Sequence, residues 1–239
     1  MSTRELIFDG KEKKIYSTED PDVVLIHYND VTTAYGGIKR AIIKDKGICN
    51  NHISALAFQT LAKGGVENHF IRLENDREQL CRRIEIIPLQ VVVRNRIAGS
   101  TARILGVENG KVIPNTVIEL RYNNDRLKDP MINDTHAIAL GLISSDELKR
   151  IYSLTARANE ILKDFFHKAG MELIDAKLEC GRTSDGKIIL SDEISPDNCR
   201  IWDEKTGEVL DKDRFRHDMS DVTVSYRKVM ERLEKAFEQ

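Results

Sequence analysis

The chain has 239 residues, 41% hydrophobic and 32% charged, with 37 basic against 39 acidic residues and a formal net charge of −2. This is enough apolar material for a real core, and the near-balanced charge excludes a global field for nucleic acid or an acidic membrane, so any basic site must be local. Four cysteines, Cys49, Cys81, Cys180 and Cys199, lie far apart with no CxxC pair, which argues against a zinc ribbon and a disulfide framework.

The N-terminal stretch "MSTRELIFDGKEKK" carries charges where a signal peptide would carry an apolar run, and no window approaches 18 consecutive apolar residues. A cytoplasmic protein with neither a membrane nor a nucleic-acid partner is expected. The length fits one large α/β unit or two closely packed lobes.

Residues 1–45 alternate short β-like runs with turn residues. "ELIFDGKEKKIYST" breaks at Asp9-Gly10, a hairpin dipeptide, and "DVVLIHY" follows as a second apolar strand. "ICNNHISALAFQTLAKGG" switches to helical spacing through Ile53, Leu56, Ala57, Thr60 and Leu61, with Asn50 or Asn51 as cap and Gly64-Gly65 as stop. The β pattern returns from Phe70 to Ile97, and "VIELRY" predicts another strand at 117–122. The clearest helix runs over 145–168, opened by a Ser144/Glu147 capping box and stopped at Gly170. "MELIDAKLEC" and "KIILSDEI" flank a turn, and the last 25 residues are helical. Strand runs separated by helices, with hairpins throughout, predict an α+β fold with largely antiparallel sheets.

In "IDAKLEC", Asp175, Lys177 and Glu179 alternate with Ala176, Leu178 and Cys180, so one strand face is apolar and the other reads acid, base, acid. The turn "GRTSDGK" should fold "KIILSDE" back so that Asp192 lands on a strand next to Glu179, in a register that could put both carboxylates on the same face. Two facing carboxylates repel unless a cation sits between them, and such oxygen ligands suit Mg²⁺. Lys177 between them reads either as a holder of phosphate or as one rung of an ion-pair ladder.

"GKEKK" at residues 10–14 can lay backbone N–H groups and ammonium groups over polyphosphate, or can be a solvated basic hairpin. "VVVRNRIAGSTAR" runs a buried-looking strand into Arg94 and Arg96 and then Gly99-Ser100-Thr101. That is either an anion site at a cleft rim or a strand end in water. "SDEISPDNCRIWDEKTGE" and "YNDVTTAYGGIKR" are too rich in specific residue types for generic loops. The inventory describes phosphoryl chemistry on a second, anionic substrate. A small-molecule kinase with an alcohol acceptor and a non-catalytic nucleotide sensor are the other readings. No HRD or DFG set supports the former, and the latter would require damaged metal ligands.

"FDGKEKKIYST", "VVVRNRIAGS", "KDPMIND", "DAKLEC", "SDEISPDNCRIWD" and "DKDRFR" occur in an order and at spacings that resemble the SAICAR synthetase family, from about residue 5 to 235. The resemblance implies a SAICAR synthase-like, ATP-grasp-like two-lobed fold. Residues 1–87 would form a β-rich lobe covering the nucleotide, and residues 88–239 a larger α+β lobe with the metal and CAIR sites. It implies ligation of L-aspartate to the carboxylate of CAIR through an acyl phosphate, giving SAICAR, ADP and phosphate, with ATP and Mg²⁺ as cofactors and a homodimer as the assembly.

Carried over by the same resemblance, Gly10, Lys11 and Lys13 match the triphosphate hairpin, and Pro88 ends the hinge that would bind adenine through its backbone. Lys177, Asp175 and Arg94 form the catalytic set, with Lys177 also touching nucleotide. Arg94, Ser100 and Arg200 match CAIR-binding positions, and Glu179 and Asp192 the metal ligands. Asp30, Gly37 and Lys39 fall in a loop expected near the substrates, and Arg216 is a further candidate. Two positions depart from the pattern. Glu12 stands where small or hydroxyl residues are common and should point away from phosphate, and Asn123 stands where many relatives carry lysine.

Overall fold

Turn residues between short apolar runs fold the start of the chain into a meander. The computed structural model describes residues 4–237, so residues 1–3 and 238–239, the ends of the two expected lobes, lie outside it. β1 (Leu6–Asp9), β2 (Lys13–Ser17) and β3 (Val23–Tyr28) pair in succession. β4 (Val31–Ala34) and β5 (Lys39–Ile42) form a separate ribbon, and α1 (Lys46–Lys63) follows. β6 (Phe70–Asn75) and β7 (Glu78–Arg82) then complete a five-stranded sheet in the order β1-β2-β3-β7-β6.

The second sheet is built from β8 (Glu85–Ile97), β9 (Lys111–Tyr122) and β10 (Met131–Ile132), with α2 (Gly99–Leu105) between the first two. α3 (Asp134–Ala139) and α4 (Ser145–Lys168) lead into β11 (Met171–Arg182), β12 (Ile188–Ser191) and β13 (Cys199–Asp203). The order is β10-β9-β8-β11-β12, with β13 sharing β12's edge of β11, and every strand pairing is antiparallel. α5 (Asp213–Arg216) and α6 (Val222–Phe237) close the chain. The fold is α+β.

α4 follows its sequence signals closely. Ser144 and Glu147 close the capping box, and Gly170, at φ +69°, ends the approach to β11. α1 begins a turn earlier than its asparagines predict. The cap comes from Asp30, whose carboxylate accepts the N–H of Asp45 at 3.2 Å and of Gly47 at 2.9 Å. Those backbone donors would otherwise be orphans at a helix start, and here a residue distant in sequence satisfies them.

One core joins the second sheet to the helices. α1, although encoded before residue 88, packs on α4 and α6 and contributes Ile53, Ala57, Phe58 and Leu61 to the cluster that holds Val91, Val93, Ala176 and Leu178. The five-stranded sheet carries a smaller cluster of Val24, Ile26, Tyr28 and Cys81. All four cysteines are buried and free. Among the described residues, no helix is long and apolar enough to cross a membrane.

Candidate active site

A cleft of about 540 Å³ opens between the β1–β2 turn, the β4–β5 ribbon and the outer face of the second sheet. The alternation of β11 supplies its floor. Ala176, Leu178 and Cys180 go into the core, while Asp175, Lys177 and Glu179 line the cleft.

One end of the cleft gathers carboxylates and lysines. Glu179 pairs in register with Ser191, so Asp192 falls just beyond β12, at φ +63°. The Lys177 ammonium sits between the two acids, 2.6 Å from Glu179 Oε1 and 3.3 Å from Asp192 Oδ2. Lys13, from the hairpin, hydrogen-bonds Asp192 and lies 3.0 Å from Glu193 Oε1. Asn198 donates to Asp192 at 2.6 Å, and Asn123 to Glu179 at 3.3 Å. Burial pushes the Glu179 carboxyl up, and the charge of Asp192 adds to that against the pull of Lys177. At Asp192 burial also opposes ionisation, but Lys13 and Lys177 outweigh it and hold the carboxyl well below the usual range.

Behind this pair, Glu12, Glu193 and Asp197 bring carboxylate oxygens within 4.8 Å of one another. Lysines match them: Lys46 lies 2.5 Å from Asp197 and Lys212 2.6 Å from Glu12, with Lys13 on Glu193. That cluster is an ion-pair lattice. Counted together, five carboxylates face four ammonium groups, so this end of the cleft is short of one positive charge. The all-oxygen donors of Glu179 and Asp192, already bridged by a cationic lysine, fit a hard divalent cation such as Mg²⁺.

The other end gathers arginines. Arg94, 2% exposed, forks onto Glu119 at 2.7 and 2.9 Å and gives a third hydrogen bond of 2.6 Å to Asp175 Oδ2. The same Asp175 oxygen accepts from Arg200 at 2.9 Å, and Arg200 also donates to Asp213 at 2.7 Å. Arg216 reaches Asp213 at 2.5 Å, and Arg121 stands 3.6 Å from Glu119. Four guanidinium groups thus meet three carboxylates, the opposite imbalance, which suits an anionic ligand. Buried Asp211 adds only part of a counter-charge near neutrality, because burial and the neighbouring Asp213 push its carboxyl up to about 7.

A cation-seeking end and an anion-seeking end share one cleft along β11. The sequence profile of SAICAR synthetase matches residues 6–233. The chain belongs to the SAICAR synthetase family. A phosphoribosylaminoimidazole-succinocarboxamide synthase from Clostridium acetobutylicum is 52% identical over 233 residues, covering 98% of this chain and 99% of its own. The crystal structure of the synthase of that name from Ehrlichia chaffeensis matches at a TM-score of 0.94 and 40% identity, covering 96% of this chain and 98% of its own. A SAICAR synthetase solved in complex with ADP matches at 0.93 and 42%, covering 97% and 98%.

Of the residues singled out from the SAICAR synthetase resemblance, Gly10, Lys11, Lys13, Gly37, Arg94, Ser100, Asp175, Lys177, Glu179, Asp192, Arg200 and Arg216 line the cleft. Three others stand apart from it. The Pro88 carbonyl lies inside β8 and accepts the Asn123 N–H at 3.0 Å, so this acceptor is already engaged. Asp30 spends its carboxylate on the α1 cap and on Arg77, which binds it at 2.7 and 3.0 Å. Lys39 ties the ribbon down, donating to the Phe215 carbonyl and, at 2.6 Å, to Asp218.

Sequence reasoning missed Lys46, Glu119, Lys212 and Asp213. Glu119 sits on "VIELRY" between Ile118 and Leu120, a charge inside an apolar run and a usable signal. Lys46 and Asp197 lie 151 positions apart, and no local pattern joins them.

Proposed function

We propose that this chain ligates L-aspartate to the carboxylate of CAIR in de novo purine biosynthesis, consuming ATP and giving SAICAR, ADP and phosphate. The observation that carries the reading is the two-ended cleft, on a chain of this family. A carboxylate is a poor acylating agent, so a leaving group must be installed first. The CAIR carboxylate oxygen attacks the γ-phosphorus, the bond to ADP breaks, and an acyl phosphate forms. The aspartate amine then attacks the acyl carbon, the carbon–oxygen bond to phosphate breaks, and the amine's proton leaves with the phosphate.

Gly10, without a side chain, lets the triphosphate approach the turn, the ammonium groups of Lys11 and Lys13 take it, and Lys177 faces the transferring phosphoryl group. Arg94, Ser100 and Arg200 take CAIR. Asp175 orients both arginines, since one of its oxygens accepts from each. Glu179 and Asp192 would hold Mg²⁺, which when bound neutralises charge on the phosphates. Gly37, on the ribbon tip, stands where a loop can cover aspartate.

The proposal extends to two lobes, with the strands of residues 1–87 over the nucleotide and residues 88–239, joined by α1, beneath it, and to a cytoplasmic homodimer. Sedimentation at working concentration should find a dimer. The activity itself is tested by a coupled assay. ADP release should require CAIR and L-aspartate together with Mg²⁺. Equal ADP formation without aspartate would overturn the amide-forming assignment.

A further inference from the structure

We infer that Glu12 is a positioning residue of the nucleotide site: its carboxylate latches the β1–β2 turn onto the far side of the cleft through Lys212. The inference rests on the reading of this turn as the triphosphate site.

The turn has little to hold it by itself. β1 is exposed along its whole length at the edge of its sheet. Inside the turn, Gly10 N–H donates to the Lys13 carbonyl at 2.9 Å and Asn29 N–H to the Glu12 carbonyl at 2.8 Å. Lys13 ties the end of the turn to Asp192 and Glu193, and Glu12 adds a second long-range tie. Its Oε1 accepts from Lys212 Nζ at 2.6 Å and from the backbone N–H of Thr33 at 3.2 Å. One carboxylate oxygen therefore joins the hairpin, the β4–β5 ribbon and the segment that leads into α5.

Lys212 is available for this task. Its other acid, Asp197, is farther off at 3.8 Å and already has Lys46, Asn50 and Tyr226 as hydrogen-bond partners. The side chains of Glu12 and Lys212 are 20% and 9% exposed, so water and salt screen the pair less than an ordinary surface bridge. Glu12 follows directly on Lys11, whose ammonium, among the described residues, reaches an exposed Asp125 at 3.6 Å and no other carboxylate. Fixing Glu12 pre-orders the backbone that presents Gly10 and Lys11, and a pre-ordered site loses less entropy on binding. The departure from small residues at this position thus supplies order to the turn instead of a contact to phosphate.

The test measures ADP binding by calorimetry and steady-state kinetics for Glu12→Ala, Glu12→Gln, Lys212→Met and the Glu12→Ala/Lys212→Met pair. Lys11→Ala serves as the reference for the triphosphate reading. Glu12→Ala should raise the ADP Kd and the ATP KM about fivefold, with kcat at saturating ATP and the KM for CAIR within about twofold of wild type. Glu12→Gln keeps an acceptor and should fall between. The double variant should bind ADP no worse than the weaker single one, because both remove the same tie.

Unchanged ADP affinity in Glu12→Ala, or losses that simply add in the double variant, would overturn the latch. If Lys11→Ala weakens ADP binding while Glu12→Ala does not, only the latch fails. If Lys11→Ala leaves ADP binding unchanged, the triphosphate reading fails and the latch with it. An equal fall in kcat and rise in CAIR KM would assign Glu12 to general packing and also overturn the proposal.

Discussion

A Cβ placed on Gly99 would lie 2.2 Å from the Arg200 guanidinium, so this glycine is what lets Arg200 lie against the start of α2. Gly99 also sits at φ +63°, where a side chain costs about 1–2 kcal/mol. Gly99→Ala should therefore push Arg200 off Asp175 and Asp213 at a modest cost to the fold. The KM for CAIR is expected to rise about tenfold, with a smaller change for ATP. A wild-type KM for CAIR in a folded variant would remove Arg200 from the CAIR site.

Glu179→Gln removes one carboxylate without changing volume, and it does so where burial already disfavours the charge. Lys177 keeps Asp192 as a partner at 3.3 Å, and the excess of one carboxylate at this end disappears. Thermal stability should be unchanged or slightly higher, while Mg²⁺-dependent turnover should be lost. A Mg²⁺ titration of the rate, beside a melting curve, separates the two effects. A wild-type rate would exclude Glu179 as a ligand.

Lys177→Ala tests the phosphoryl contact. If this ammonium holds the transferring group, kcat/KM should fall by at least a factor equivalent to ~2 kcal/mol. Kinetics matching wild type would leave Lys177 as a structural bridge between Glu179 and Asp192.

Arg94 behaves differently, because it is bound to the fold before any substrate arrives. Truncating it to alanine leaves Glu119 and Asp175 buried without their main partner, and breaking a buried pair costs about 3–5 kcal/mol. Denaturant unfolding of Arg94→Ala should show a loss of this order, so a dead variant alone says little about catalysis. Stability equal to wild type would mean the guanidinium is not the keystone of this network.

These contrasts show what the chain disclosed locally and what it did not. The α4 cap, the Asp9-Gly10 turn and the alternation of β11 are set by neighbours in sequence, and the period and turn chemistry displayed them. The antiparallel return of β12 was legible too, but not that Asp192 would fall past the strand in a left-handed conformation. Asp30 and Lys39 are expected near the substrates because the family resemblance places their loop there. Their partners, Arg77 and the α1 start in one case and the Phe215–Asp218 segment in the other, lie far away in sequence. The Lys46–Asp197 and Glu12–Lys212 pairs were hidden for the same reason.

His69 offers a pH test that does not depend on substrate. Its ring is buried against Phe58, with centroids 5.0 Å apart, and burial together with the charge of Lys13 lowers its pKa from 6.5 to about 4. The folded state thus resists protonating this histidine, whereas the unfolded chain takes the proton near pH 6.5. The stability the neutral ring contributes is complete above that pH and is lost as pH falls towards 4, by about 3 kcal/mol in all. Asp211, pushed up to about 7, works in the opposite direction over the same range, so the wild-type slope alone is ambiguous. Comparison with His69→Gln isolates the histidine. The stability gap between wild type and variant should narrow, or reverse in sign, on going from pH 7 to pH 4 in denaturant titrations. A gap that stays constant across that range would mean His69 is protonated in the fold as readily as in the unfolded chain.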